Sequence, residues 1–191
     1  NIISEGRKNV FLGSDNEAIG QLDKLLNKSI EQQMLSDVPL GAFLSGGVDS
    51  SSIVAIMQAQ SDKPIKTFTI GSDDQSYNEA KLAKLIAEYL QTDHTELYVS
   101  AQDALNIIPY LPKLYDEPFS DFSQIPTSIV SKLAKKQVTV SLSGDAGDEL
   151  FGGYNRYIGV DNWWSKINSM PFWLRRFVGS KILSISPLKW E

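Results

Sequence analysis

Apolar residues recur along this chain with two different periods, and the alternation between those periods is its first structural signal. Leu22, Leu25, Leu26, Ile30 and Met34 fall three or four residues apart, the spacing that gathers side chains on one face of a helix. Leu40 to Ser45 is a short apolar run ending in Ser-Gly-Gly, which predicts a buried strand and then a turn. A helix over Ser50–Gln60, a second strand over Ile65–Gly71 (IKTFTIG) and a helix over Asn78–Tyr89 follow, the last with Leu82, Leu85, Ile86 and Tyr89 on one face. Thr95–Val99 predicts a third strand, and Ala104–Tyr115 a helix broken at Pro109 and Pro112. Ile125–Lys136 predicts another helix and Val138–Leu142 (VTVSL) a fourth strand. Strands alternating with helices predict an α/β fold, a parallel sheet with helices on both faces. Ligands of such sheets sit at the carboxyl ends of the strands, and two polar, glycine-rich segments fall at such ends.

The first is Ser45–Ser52 (SGGVDSSS), after the first strand and at the opening of a helix. Gly46 and Gly47 lack a Cβ, so the backbone there can come close to a ligand. The first N–H groups of the following helix have no internal partner and favour an anion. Hydroxyls of Ser45, Ser50 and Ser51 add donors, which makes the segment a phosphate site in chemical type. It is neither a Walker A loop nor a G-x-G-x-x-G turn. Asp49 places a negative charge inside a site built for anions, which makes chemical sense if Mg²⁺ lies between the carboxylate and the phosphates. The plainer alternative is a tight turn with Asp49 as helix N-cap.

The second segment is Ser143–Tyr154 (SGDAGDELFGGY), after the fourth strand. Asp145, Asp148 and Glu149 repel one another at this spacing unless a metal or a helix N-terminus sits among them. If both loops lie at adjacent strand ends, Asp49 and Asp148 can share one Mg²⁺. The alternative is a solvated acidic turn.

Composition narrows the function classes. The chain has 191 residues, 42% hydrophobic and 21% charged, ordinary for a folded domain. Its net charge of -5 argues against a nucleic-acid partner. The absence of cysteine excludes disulfides, thiolate metal sites and a cysteine nucleophile, and a single histidine, His94, excludes a multi-histidine metal site. His94 reads as a structural hydrogen-bonding group, and Met34, Met57 and Met170 as packing. No apolar run approaches the ~20 residues of a membrane span, and no signal segment follows the N-terminus, so no membrane partner and a cytoplasmic location are expected. Residues 158–191 hold all four tryptophans and a local charge of +3 against -8 for the rest. The expected organisation is therefore a core over residues 1–157, N-terminal helix included, and the start of a helical C-terminal extension over 158–191. An exposed aromatic tail is expected to promote association, a homodimer being one possible assembly. Because the first residue is Asn1 and not Met, the chain is expected to be a piece of a longer one.

At its two glycine-rich segments the chain resembles the synthetase domain of the glutamine-hydrolysing asparagine synthetases, a branch of the PP-loop ATP pyrophosphatases with a Rossmann-like fold. The resemblance rests on SDVPLGAFLSGGVDSS (36–51), TFTIG (67–71), DEPFSDFSQIPT (116–127) and SLSGDAGDELFGGYNRY (141–157). It implies activation of the aspartate side-chain carboxylate by ATP, with loss of pyrophosphate, and attack by ammonia to form the amide. The ammonia would come from an N-terminal glutaminase domain of the parent chain. By motif, Ser45, Gly46, Gly47, Asp49, Ser50 and Ser51 would bind the phosphates, and Leu44, Ile70, Ser143 and Gly144 would lie near adenine and ribose. Asp49 and Asp148 would bind the metal, and Asp145 and Glu149 would act in catalysis, with Asp116 and Glu117 as weaker matches. ATP and Mg²⁺ are the implied cofactors.

The sequence departs from the family pattern in places. Asp145 stands where many members have glutamate, Ala146 where glycine is usual, and Asn78 where an acid is usual after Tyr77. The family's synthetase domain also continues past the GGY motif to a lysine that assists the chemistry, so the 191 residues alone are expected to turn over poorly. Related enzymes acting on other acids, of the β-lactam synthetase or sugar-acid amidotransferase type, and a non-catalytic nucleotide binder remain alternatives.

Overall fold

In the computed structural model, residues 2–72, 79–118, 120–121 and 123–183 are described, and the alternation of periods becomes a parallel sheet with helices on both faces. Helix α1 (Ile2–Lys8) precedes α2 (Asp15–Met34), and β1 (Leu40–Phe43) leads into α3 (Val48–Ala59). Then come β2 (Lys66–Ser72), α4 (Ala80–Leu90), β3 (Asp93–Val99) and α5 (Ala101–Ile107). A 3₁₀ turn (Ile108–Tyr110) and α6 (Leu111–Leu114) complete the predicted helix, broken as expected at its prolines. Helix α7 (Gln124–Ala134), β4 (Val140–Leu142), α8 (Gly147–Phe151), α9 (Asn155–Asn168) and α10 (Phe172–Leu183) follow. The N-terminus of the helix expected from Asn78, the departure at Asn78 itself, Phe119 and Phe122 of the 116–127 block, and the tail from 184 with Trp190 lie outside the described residues.

The strand order is β3-β2-β1-β4 with every pairing parallel. Alternation along β1 and β2 divides the core in two. On one face Ala42 and Leu44 pack with Val54 and Met57 of α3, Ala83 and Ala87 of α4, and Ile30 of α2. On the other, Phe68 packs with Leu133 and Ala134 of α7 and with Val138. Fully buried side chains such as Leu44, Val54, Met57 and Phe68 each contribute roughly 1.5–3 kcal/mol by leaving water. Met57 is a packing residue, as its sequence context suggests.

Some elements differ from expectation: α5 begins three residues early, at Ala101, and β4 two residues late, at Val140. Helix α4 buries Ala80, Ala83 and Ala87, and leaves Leu82, Leu85 and Tyr89 exposed. Small side chains at that spacing let the helix lie close on the sheet, and the larger ones turn outward. Strand β3 begins two residues early, at Asp93, and so includes His94. The ring is held by the buried Thr67 hydroxyl, 2.8 Å from Nδ1, and Thr67 also meets Thr92 at 3.0 Å. His94 is thus a structural hydrogen-bonding group.

Half-burial holds the His94 imidazolium pKa below its ordinary 6.5, with Lys84 reinforcing the shift and Glu96 opposing it. The unfolded chain then takes the proton first, so stability is present above the ordinary value and is lost as pH falls below it. Thermal unfolding from about pH 7 to about pH 5 is expected to lose more stability in the wild type than in His94→Gln. Equal pH slopes in the two proteins would show that His94 does not contribute.

The chain forms two compact units, residues 1–145 and 146–191. The sheet lies in the first. In the second, α9 and α10 expose Trp163, Trp164, Phe172, Trp173 and Phe177. Among the described residues, no helix is long and apolar enough to cross a membrane.

Candidate active site

From β1 the chain builds outward through β2 to β3, and then returns to place β4 on the other side of β1. The strand order reverses between β1 and β4, and the crevice outside their carboxyl ends is where an open α/β sheet binds ligands. Ser45–Ser52 leaves β1 there and Ser143–Asp145 leaves β4 there. The two meet closely. A Cβ built on Gly144 would stand 2.7 Å from the Ser50 nitrogen and 3.0 Å from the Asp49 carbonyl carbon. Only a glycine lets the second loop lie against the first turn of α3.

The first loop is shaped by Gly46, whose φ of +87° belongs to the left-handed region that favours glycine. Its far side rests on α4, where a Cβ would come within 3.0 Å of the Ala83 nitrogen. Leu44 anchors the loop's start: its side chain is in the core, its N–H donates to Phe68 O at 3.0 Å, and its carbonyl accepts from the Thr69 hydroxyl. Gly47 is the N-cap of α3 and supplies no side-chain cap, so the first-turn N–H groups face out of the helix end without one. Asp49 sits half-buried in that turn. The Ser51 hydroxyl donates to Gly47 O at 2.7 Å. Ser45 and Ser50 bond to each other, Oγ to Oγ at 2.9 Å.

In the second loop, Ser143 Oγ donates to Asp145 Oδ2 at 2.8 Å, and the exposed Asp145 is thereby tied to its own loop. Ala146 adopts φ +73°, which explains why glycine is natural at this position; an alanine carries roughly 1–2 kcal/mol of strain there. Ile70 lies near the carboxyl end of β2, in register with Leu97.

Asp148 and Glu149 belong to the second unit, in the first turn of α8. A Cβ on Gly153 would collide with the Asp148 carboxylate. Tyr154 Oη donates to Glu149 Oε1 at 2.7 Å, and the Arg156 guanidinium lies 4.7 Å over the Tyr154 ring. That hydrogen bond holds the Glu149 carboxyl below its usual range and, with some desolvation, pushes the Tyr154 phenol up to about 12. A carboxyl so held is ionised at neutral pH and is no general acid there. Asp116 and Glu117 are exposed.

The structure therefore gathers Ser45, Gly46, Gly47, Asp49, Ser50, Ser51 and Gly144 in one place, with Leu44 beneath them. Thr69 and Tyr154 escaped the sequence reading. Thr69 looks like any β-branched strand residue, and only the fold shows its hydroxyl under the loop.

The chain matches the asparagine synthase family over residues 21–188, a span that includes both loops. It belongs to that family. Among its relatives are a putative glutamine-hydrolysing asparagine synthetase 2 of Methanocaldococcus jannaschii and the glutamine-hydrolysing asparagine synthetase 1 of Bacillus subtilis. The first is 43% identical over 160 residues, covering 83% of this chain and 30% of that protein. The second is 38% identical over 143 residues, covering 75% and 22%. The chain thus spans less than a third of the length of these relatives. Among solved structures, an NH3-dependent NAD synthetase from Campylobacter jejuni superposes with a TM-score of 0.48 at 12% identity, covering 71% of this chain and 60% of that one.

Proposed function

We propose that this family member is the ATP-using part of an amide-forming ligase. A carboxylate oxygen of the aspartate side chain attacks the α-phosphorus of ATP, and the α–β bond breaks to release pyrophosphate. Ammonia then attacks the acyl carbon and releases AMP, leaving asparagine. The observation that supports this reading most is the seating of Gly144 on the first turn of α3, which brings the family's two loops to one crevice.

Each residue has a part in this reading. The open N-terminus of α3 holds the phosphates that leave, stabilising charge as it develops, and the more exposed hydroxyls of Ser45 and Ser51 turn their protons from Ser50 and Gly47 to the phosphates when these bind. Gly46, Gly47 and Gly144 give the backbone room for them. Leu44, Ile70 and Ser143 frame the nucleoside end. Asp145, held by Ser143, orients the reacting acid and helps form the adenylate. Glu149, kept ionised by Tyr154, is assigned its part from the family motif, as a fixed negative charge.

Asp49 is a hard oxygen donor at the mouth of an anion site, which suits Mg²⁺, and Asp148 is proposed as its second protein ligand. Among the described residues no three His, Cys, Asp or Glu side chains gather as a metal cage. The proposed cation is held by the carboxylates of Asp49 and Asp148 and the substrate's own phosphates. When bound, Mg²⁺ neutralises charge on the departing pyrophosphate. The names of the relatives include glutamine hydrolysis, and we take the ammonia to come from a glutaminase domain of the parent chain.

The test is exchange of labelled pyrophosphate into ATP by the full-length parent chain. Exchange that requires aspartate is the expected outcome. Absence of exchange with aspartate and with a panel of other carboxylic acids would remove the ligase reading and leave a nucleotide binder.

A further inference from the structure

We propose that Ser50 is a positioning residue which closes the phosphate loop from within and does not itself meet the phosphates; this rests on the nucleotide-binding reading above. A serine hydroxyl has one proton and two acceptor positions. Ser50 Oγ lies 3.3 Å from Gly47 O, 3.2 Å from Ser45 N and 2.9 Å from Ser45 Oγ. With its proton on the Gly47 carbonyl, the N–H and O–H of Ser45 fill both acceptor positions. Nothing is left to offer a ligand, and the residue is only 8% exposed.

The partners of this hydroxyl give it its effect. Ser45 and Gly47 flank Gly46, the residue at φ +87°. One side chain in the first turn of α3 therefore clasps both sides of the left-handed turn and fixes it to the helix whose N–H groups are to receive the anion. Ser45 Oγ closes the same ring by accepting the Gly47 N–H at 3.3 Å. Ser51 differs: among the described residues its hydroxyl bonds the carbonyl four residues before it, as helical serines do, and is less buried. Ser50 thus acts through the backbone it holds, whereas a direct ligand would act through the phosphate.

Two readouts on the 191-residue chain separate these roles. In Ser50→Ala without ligand, the Ser45 amide loses its acceptor and its hydrogen exchange is expected to rise at least about tenfold; pyrophosphate affinity, measured by calorimetry, is expected to fall about tenfold because the loop is no longer held. Weaker pyrophosphate binding with unchanged exchange at Ser45 would make Ser50 a direct ligand and overturn the proposal. Faster exchange with unchanged pyrophosphate affinity would overturn it too, by making the clasp irrelevant to the site. A wild-type chain that binds no pyrophosphate would overturn the nucleotide-binding reading, and this proposal with it. If Ser50→Ala fails to fold, Ser45→Ala tests the same ring from its exposed side. That variant removes the acceptor of the Gly47 amide, whose exchange without ligand should rise, and an unchanged exchange there would overturn the clasp.

Discussion

Gly144→Ala is expected to weaken ATP binding by about 10- to 100-fold while the chain still folds. The added methyl would lie 2.7 Å from the Ser50 nitrogen and 3.0 Å from the Asp49 carbonyl carbon. Both are backbone atoms of α3, which cannot yield easily because Val54 and Met57 fasten it into the core with no exposed surface. The second loop must move instead. A misfit of this kind costs roughly 1–3 kcal/mol, and here it falls on the seam between the two loops. Gly159→Ala is the control. Apart from its chain neighbours and its own helix backbone, no atom of the described residues lies within 4 Å of its added methyl, and a mid-helix alanine is expected to leave binding unchanged and to stabilise α9 by up to about 1 kcal/mol. Calorimetric titration with ATP reads both variants. Wild-type affinity in Gly144→Ala would mean that the seam is not part of the nucleotide site.

Asp49→Asn is expected to lose most of the enhancement of ATP binding by Mg²⁺. In the wild type the carboxylate opposes the phosphates when no cation is present and assists them when one is. The amide removes the charge with little change in size. The variant should therefore bind ATP at least as tightly as the wild type in chelator, and about 10- to 100-fold more weakly in Mg²⁺. The loss of stability should stay within about 1 kcal/mol, the value of a carboxylate in the first turn of a helix. Titrations with and without the cation read the crossing. An Asp49→Asn protein that keeps the full Mg²⁺ enhancement would show that Asp49 is not a ligand.

Much of the fold was legible because the strands are short β-branched or apolar runs bounded by turn residues, β3 only in its second half, so the parallel α/β order followed from alternation. The phosphate-type loop was legible for a related reason. Glycine, hydroxyl and carboxylate residues at such a strand end have few other uses. What escaped depends on distant partners. The inner face of α4 was misread because its alanines, not its leucines, allow the closest approach to the sheet. The first residues of β3 look polar, yet Thr67, across the sheet on β2, bonds both Thr92 and His94 and gives them a place in it. Ser14 and Ser100 cap α2 and α5 with complete capping boxes, local signals that mark helix starts ahead of the apolar spacing. Thr69 and Ser50 carry no motif that separates a brace from a ligand. Only the count of hydroxyl partners does.

The most direct test of adenylation is exchange of labelled pyrophosphate into ATP by the full-length parent chain with Mg²⁺ and aspartate, in the absence of glutamine and ammonia. An acyl-adenylate forms before any amine is needed, so exchange should proceed under these conditions, depend on aspartate and disappear in Asp49→Asn. Exchange that appears only when ammonia is added, or none with any carboxylic acid, would contradict an adenylate formed at this crevice.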